Sequence, residues 1–323
     1  MRYLGLRIFQ SLLLLFGISL LSFVFLGMAP GNFFDEMRLN PQISNETLAH
    51  VKAQYELDQP LPIRYLRWLK SVVKGELGFS FAYNSPVAPL LRARAANTLL
   101  LSGTATLLAW IVALLLGILS AEKRYGGFDR VLSIITSVLL ATPDLLLALG
   151  LLLLVVRTRW LPVGGISSLE SKDLSAWAHL KDSAAHLIAP VTVLVLSSLP
   201  PLFRHTRAAM LDALNSPYIR AARAHGIPRL WILFRHALPV AANPLISFFG
   251  LSLGSLLSAS LLIEVVMSWP GLGPLLLEAI LGRDIYVVVG AVIFASLFLI
   301  GGALLGDVFL FFVDPRIRTR ELT

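Results

Sequence analysis

Gly250-Leu251-Ser252-Leu253-Gly254 spells G-x-S-x-G, the pattern that lifts a nucleophilic serine onto a strand-to-helix turn in hydrolases. Here it lies inside an apolar helical stretch with no histidine at matching depth, so Ser252 has nothing to activate it. Gly250, Gly254 and Ser258 recur at four-residue intervals and predict instead a smooth face for close helix contact, a device that Gly302 and Gly306 repeat. His179 and His186 stand seven residues apart near the expected membrane surface and are too few to hold a metal. The chain has no cysteine, which removes disulfides, thiolate metal sites and a cysteine nucleophile. It also lacks the G-x-x-x-x-G-K-[ST] phosphate loop and H-E-x-x-H. These absences predict a chain that is not an enzyme and binds no metal or cofactor of its own.

Three acids sit in or beside apolar runs. An ionised carboxylate at membrane depth costs about 2.5–3.5 kcal/mol on insertion scales, so each needs a polar reason to be there. Asp144 follows Pro143. Either it lines a solute path, where a cationic amine could pair with it, or Pro143 frees a carbonyl and Asp144 solvates the resulting notch. Glu264 precedes Trp269-Pro270-Gly271-Leu272-Gly273, an aromatic-anchored turn or short re-entrant segment. It either gates an outer mouth or caps a helix and anchors it at the interface. Asp307 is expected to face inward, toward a partner.

Ser216–Pro239 reads SPYIRAARAHGIPRLWILFRHALP. Ala221, Ala222 and Ala224 favour helix, Gly226 can take the left-handed conformation that ends one, and Pro228 suits the first turn of the next. The expectation is helix, sharp turn, helix. Arg220, Arg223, Arg229 and Arg235 give the segment a positive field with no acid inside it, and Ile219, Leu230, Ile232, Leu233 and Leu238 are expected to be apolar knobs for a groove.

These residues need elements to hold them, and the composition dictates which. Hydrophobic residues make up 56% of the 323 positions and charged ones 14%, with mean hydropathy +0.77, so the chain is a polytopic, all-α membrane protein. Six spans meet the length rule: 9–28, 98–121, 131–156, 187–203, 244–266 and 286–313. The fourth is the weakest, being short and interrupted by Pro190, Pro200 and Pro201. The basic start and apolar core of residues 1–28 predict an uncleaved first span. With the N-terminus inside, inner segments hold fourteen Lys and Arg and the two short outer loops hold five. That asymmetry puts both termini in the cytoplasm and makes the net charge of +8 a topology signal rather than a nucleic-acid footprint. Residues 29–97 form an external domain with two short amphipathic helices split at Asp58-Gln59-Pro60. The core runs over 98–313 and includes a cytoplasmic loop at 204–241, and 314–323 is a cytoplasmic tail.

Ala221-Ala222, Gly226 and Leu238-Pro239 resemble the coupling (EAA) loop of permease subunits of bacterial binding-protein-dependent ABC importers. YIRAARAHG with RHALP is most similar to the dipeptide/oligopeptide/nickel branch, in its first, B-type, permease. The likeness continues through LDQPLPIRYLRWL, GELGFSF, Glu264, Ser268–Gly273, Arg283-Asp284 and Asp314–Arg318. Arg220 stands where the family has an acid, and Asp144 where it has an aromatic residue. The resemblance implies type I importer permease architecture, with six transmembrane helices and a small external helical domain. It implies an ATPase-coupling loop at Arg220, Ala221, Ala222, Arg223, His225, Gly226, Ile227 and Pro228, and a path or gate region at Asp144, Glu264, Trp269, Pro270 and Gly271. Implied partners are a second homologous permease forming a heterodimer, two ATPase subunits carrying ATP and Mg, an external solute-binding protein and membrane lipid. The implied cargo is short peptides, nickel complexes, opines or other small solutes. The competing class, a proton-coupled secondary transporter relaying through Asp144 and Asp307, leaves the basic segment without a task.

Overall fold

A chain this apolar must satisfy its backbone within each segment, and helices do so. The computed structural model describes residues 2–28, 59–168 and 175–313. The first expected external helix and the closing tail lie outside the described residues. The elements are α1 (Arg2–Met28), α2 (Leu61–Val73), β1 (Phe79–Ser80), β2 (Ser85–Pro86), α3 (Val87–Glu122), α4 (Gly127–Ala141) and α5 (Asp144–Thr158). They continue with α6 (Ala176–Leu214), α7 (Pro217–Ala224), α8 (Arg229–Trp231), a π-helical turn (Ile232–Ala237), α9 (Leu238–Val266), α10 (Leu272–Leu281) and α11 (Ile285–Val313). Among the described residues, five helices are long and apolar enough to cross a membrane, and α4 with α5 makes a sixth if the pair is one span.

The span expected over 131–156 is therefore not one helix: α4 and α5 meet at 101°. Pro143 explains the break, because its ring drives the preceding residue out of helical geometry. Thr142 (φ −89°, ψ 121°) and Pro143 (φ −58°, ψ 140°) are both extended. The fourth span, expected short at 187–203, is a 39-residue helix that carries Pro190, Pro200 and Pro201 without stopping. Charged residues hid its length, since Asp182 and Arg207 lie on helical extensions beyond the apolar part. For the same reason α3 begins at Val87 and takes in Arg92 and Arg94.

The chain divides into two compact units, Met1–Thr98 with Pro270–Leu297, and Leu99–Trp269 with Phe298–Thr323. In the first, Phe23, Tyr65, Trp68 and Val289 form the core, and the Ser19 and Tyr65 hydroxyls share a 2.9 Å hydrogen bond. The β1–β2 hairpin pairs Phe79 with Pro86 and Ser80 with Ser85. Ser80 Oγ donates to Asp284 Oδ2 at 2.7 Å, while Asp284 Oδ1 accepts the Val287 N–H at the start of α11. Tyr83 donates to the Glu278 carboxylate. Burial first, then that carboxylate, push the Tyr83 hydroxyl up to about 12, so it keeps its proton. In the second unit α6 is the axis: α4, α5 and α9 pack on it, and α9 also packs on α5.

Candidate functional site

The basic segment folds as an elbow. Pro217 starts α7, where its missing N–H is no loss. Gly226 then turns the chain with φ +74°. The Ile227 N–H bonds Ala222 O at 3.2 Å and the Gly226 N–H bonds Arg223 O at 3.0 Å, the paired bonds of a Schellman stop. His225 is the C-cap. Pro228 lies one residue before the expected first turn, as the extended N-cap of α8. The second arm is not a plain α-helix: it passes through the π-helical turn before α9 begins.

The apolar residues divide differently from the expectation. Ile219 (0% exposed), Ile232 (3%) and Leu233 (3%) are not outward knobs. With Ala237 they join one apolar cluster containing Trp110 and Ala113 of α3, Leu202 and Met210 of α6, and Leu245 of α9. Each such large side chain contributes about 1.5–3 kcal/mol by burial, so the elbow's inner face is welded to the membrane helices. Leu238 is half-buried against the same cluster. Tyr218, Leu230, Trp231 and Phe234 are the exposed large apolar residues of the segment, alongside exposed Arg220, Ala221, Arg223, Arg229 and Arg235. A cleft of about 510 Å³, with Arg223, Arg229, Glu122 and Asn215 in its lining, runs beneath the turn.

The positive field is partly answered from outside the segment. Arg229 Nε pairs with Glu122 Oε1 at 2.6 Å, and Arg229 Nη2 donates to Glu122 O at 3.2 Å, fastening the elbow to the end of α3. A second ion pair, at the start of α4, was not legible beforehand. Arg207 grips Asp129 bidentately, with Nε to Oδ1 at 2.7 Å and Nη2 to Oδ2 at 2.8 Å. Asp129 is 3% exposed and also accepts from Ser120 Oγ and the Tyr125 N–H. The one local signal was an acid in a first helical turn. Its partner is 78 residues away.

Asp144 is the first residue of α5, directly after the break, and is exposed. It does not sit mid-helix in a continuous span, as expected, but at the edge of a notch of about 210 Å³ shared with Ser197, Ser198, Pro201, Phe248 and Ser252. Ser252 itself is buried. It accepts from Trp110 Nε1 at 2.9 Å and donates to Phe249 O at 2.8 Å, so the hydrolase-like pattern serves packing. A Cβ on Gly250 would meet Gly306 Cα at 2.9 Å, and one on Gly254 would meet Leu299 Cδ1 at 3.0 Å. Ser258, the third position of that face, is exposed and bonds back to Gly254 O, so the close approach stops at Gly254.

Glu264 is fully buried in the last turn of α9, and its carbonyl accepts the Trp269 N–H at 2.8 Å. Trp269 is 1% exposed, in a cluster with Leu101, Ala148 and Ile263. It is therefore a core residue and not an interfacial anchor. In the other unit, Pro270 O accepts from Asn97 Nδ2 at 2.8 Å, and buried Gly271 is the N-cap of α10, whose Leu272 N–H bonds Thr98 Oγ1 at 2.8 Å. His186, expected at the surface, is buried and bonded to Asp182 O. No group of metal ligands occurs among the described residues.

A bundle of apolar helices with a broken span and an elbow welded to it defines an α-helical membrane permease. Residues 113–319 match the family described as "Binding-protein-dependent transport system inner membrane component", and residues 1–102 match its N-terminal companion. The chain belongs to this family, and as such it is a transport subunit rather than an enzyme. It is 35% identical over 313 residues to the oligopeptide transport system permease AppB of Bacillus subtilis, covering 96% of this chain and 97% of the relative. It is 34% identical over 327 residues to the dipeptide transport system permease DppB of Escherichia coli K12, covering 94% and 95%. A chain of the MetNI methionine ABC transporter, solved in inward-facing conformations, matches with TM-score 0.58 at 19% identity, over 70% of this chain and 96% of that one. The fold is that of an ABC importer permease.

Proposed function

We propose that this chain forms one half of the pore of an ATP-driven importer for short peptides. A second homologous permease completes the pore, two ATPase subunits supply ATP hydrolysis with Mg, and an external solute-binding protein delivers the cargo. Both termini and the elbow lie on the cytoplasmic side, in keeping with the Lys and Arg asymmetry. The peptide cargo rests on the relatives, whose names specify oligopeptides and dipeptides.

The observation that carries the mechanism is the division of the elbow into two faces. Arg223, Leu230 and Trp231 are exposed for a partner, while Ile219, Ile232 and Leu233 are buried among the membrane helices. ATPase closure that moves the outer face must move the helices sharing its core, because packed interiors transmit displacement rather than absorb it. Asp144, at the edge of the notch beside the α4–α5 break, belongs to the solute path.

The test is uptake of labelled di- to pentapeptides, and of nickel, in a strain lacking the chain and again after its return. Peptide uptake restored by the chain and abolished by an ATPase-dead partner is the expected result. Uptake that survives loss of the ATPase and stops when the proton gradient is collapsed would overturn the reading in favour of a proton-coupled carrier, and nickel uptake alone would overturn the peptide assignment.

A further inference from the structure

We propose that the notch at the α4–α5 break is a cation subsite that takes the primary ammonium of the transported solute. That the occupant is the transported solute rests on the function proposed above, whereas the notch's preference for positive charge does not.

Thr142 and Pro143 are both extended, and Asp144, the residue directly after them, is the part of the break that lines the notch; non-helical backbone at membrane depth is tolerated where it is buried in protein or beside a water-filled cavity. A bare helix N-terminus would favour an anion. Asp144, the first residue of α5, reverses that sign with a full negative charge, and it makes no ion pair among the described residues.

The opposite wall adds acceptors and few donors. Ser198 Oγ donates to Leu194 O, so its proton is directed back to its own helix, while Ser252 Oγ is already engaged, accepting from Trp110 Nε1 and donating to Phe249 O. Pro200 and Pro201 have no N–H, so the carbonyls of Leu196 and Ser197 lose their helical donors. A carboxylate, the Ser198 hydroxyl oxygen and a donor-stripped carbonyl around about 210 Å³ suit a group that only donates, and an ammonium donates three times.

Ser198→Cys puts one thiol in a chain that has none, and Ala259→Cys, in the same lining, serves if the first variant folds poorly. In the complete complex in proteoliposomes, the thiol is modified with a trimethylammonium-ethyl or a sulfonatoethyl methanethiosulfonate, and labelling of this chain is read by mass spectrometry. The cationic reagent is expected to react about tenfold faster, relative to the same pair on a free thiol, by focusing of the negative field. Asp144→Asn should bring that ratio down to the free-thiol value or below it, since the α5 N-terminus then acts alone. Dialanine should slow the cationic reagent, and N-acetyl-dialanine should not. A ratio indifferent to Asp144→Asn overturns the subsite. Charge selectivity with no difference between the two peptides overturns the ammonium assignment. The first arm contains no peptide, so it reads the notch even where the uptake panel rejects peptides as cargo.

Discussion

Asp129 shows how much one residue can hold in place. Its two oxygens collect Arg207, Ser120 and the Tyr125 backbone, so α3, the following turn, α4 and α6 meet at a single carboxylate. Arg207→Met leaves that carboxylate 3% exposed without its cation, and breaking such a pair on one side costs about 3 kcal/mol. The purified complex should show it as a lowered thermal midpoint. Adding Asp129→Leu should restore much of the loss, because the stranded charge is then gone. A double variant as unstable as the sum of the singles would contradict this account. Arg229 makes the contrast: its side chain is 70% exposed in its pair with Glu122, so Arg229→Ala should cost no more than about 1 kcal/mol and barely move the midpoint.

At the scale of the element, glycines with the same name do different work. Gly226 has φ +74° and nothing within 4 Å of an added Cβ. Gly226→Ala therefore costs only the left-handed backbone, about 1–2 kcal/mol, and transport should persist in weakened form. Gly226→Pro, locked near φ −65°, should abolish ATP-driven uptake while the complex still inserts. Gly306 has no such constraint, but an added Cβ would meet Gly250 Cα at 2.5 Å. Gly306→Leu must push α11 off α9 and should lower the yield of folded protein itself, read by size-exclusion profile. If the two variants fail in the same way, this distinction is wrong. The four-residue spacing of Gly250 and Gly254 was visible in the letters because helical periodicity is local, and Gly226 was visible because a left-handed turn has few possible occupants. The break at Pro143 was half-visible: the proline stood in plain sight, but hydropathy averaged over twenty residues joins two helices that geometry parts. The inward turn of Ile219, Ile232 and Leu233 was not legible, because an apolar residue in an amphipathic segment reads the same whether it meets its own core or a partner. Trp269 and the Asp129–Arg207 pair were hidden by sequence separation.

At the scale of the whole molecule, the proposed mechanism needs two properties of the elbow at once, a grip on the ATPase and a weld to the helices, and these lie on opposite faces. They can therefore be removed separately. Arg223 is exposed at the rim of the cleft under the turn. Arg223→Glu should leave the fold intact, lower co-purification of the ATPase by about tenfold, as loss of roughly 1.4 kcal/mol of docking energy requires, and lower uptake with it. Leu233 is 3% exposed in the cluster shared by α3, α6 and α9. Leu233→Ala opens a cavity there at a cost of about 2–5 kcal/mol. The ATPase should stay bound and go on hydrolysing ATP, but with less solute moved per ATP, because a softened joint absorbs the stroke. The decisive quantity is the ratio of transport to hydrolysis in proteoliposomes: unchanged for whatever Arg223→Glu complex still assembles, and reduced for Leu233→Ala. The reverse pattern, with an intact ratio in Leu233→Ala and a lowered one in Arg223→Glu, would mean that the stroke enters the bundle by another route.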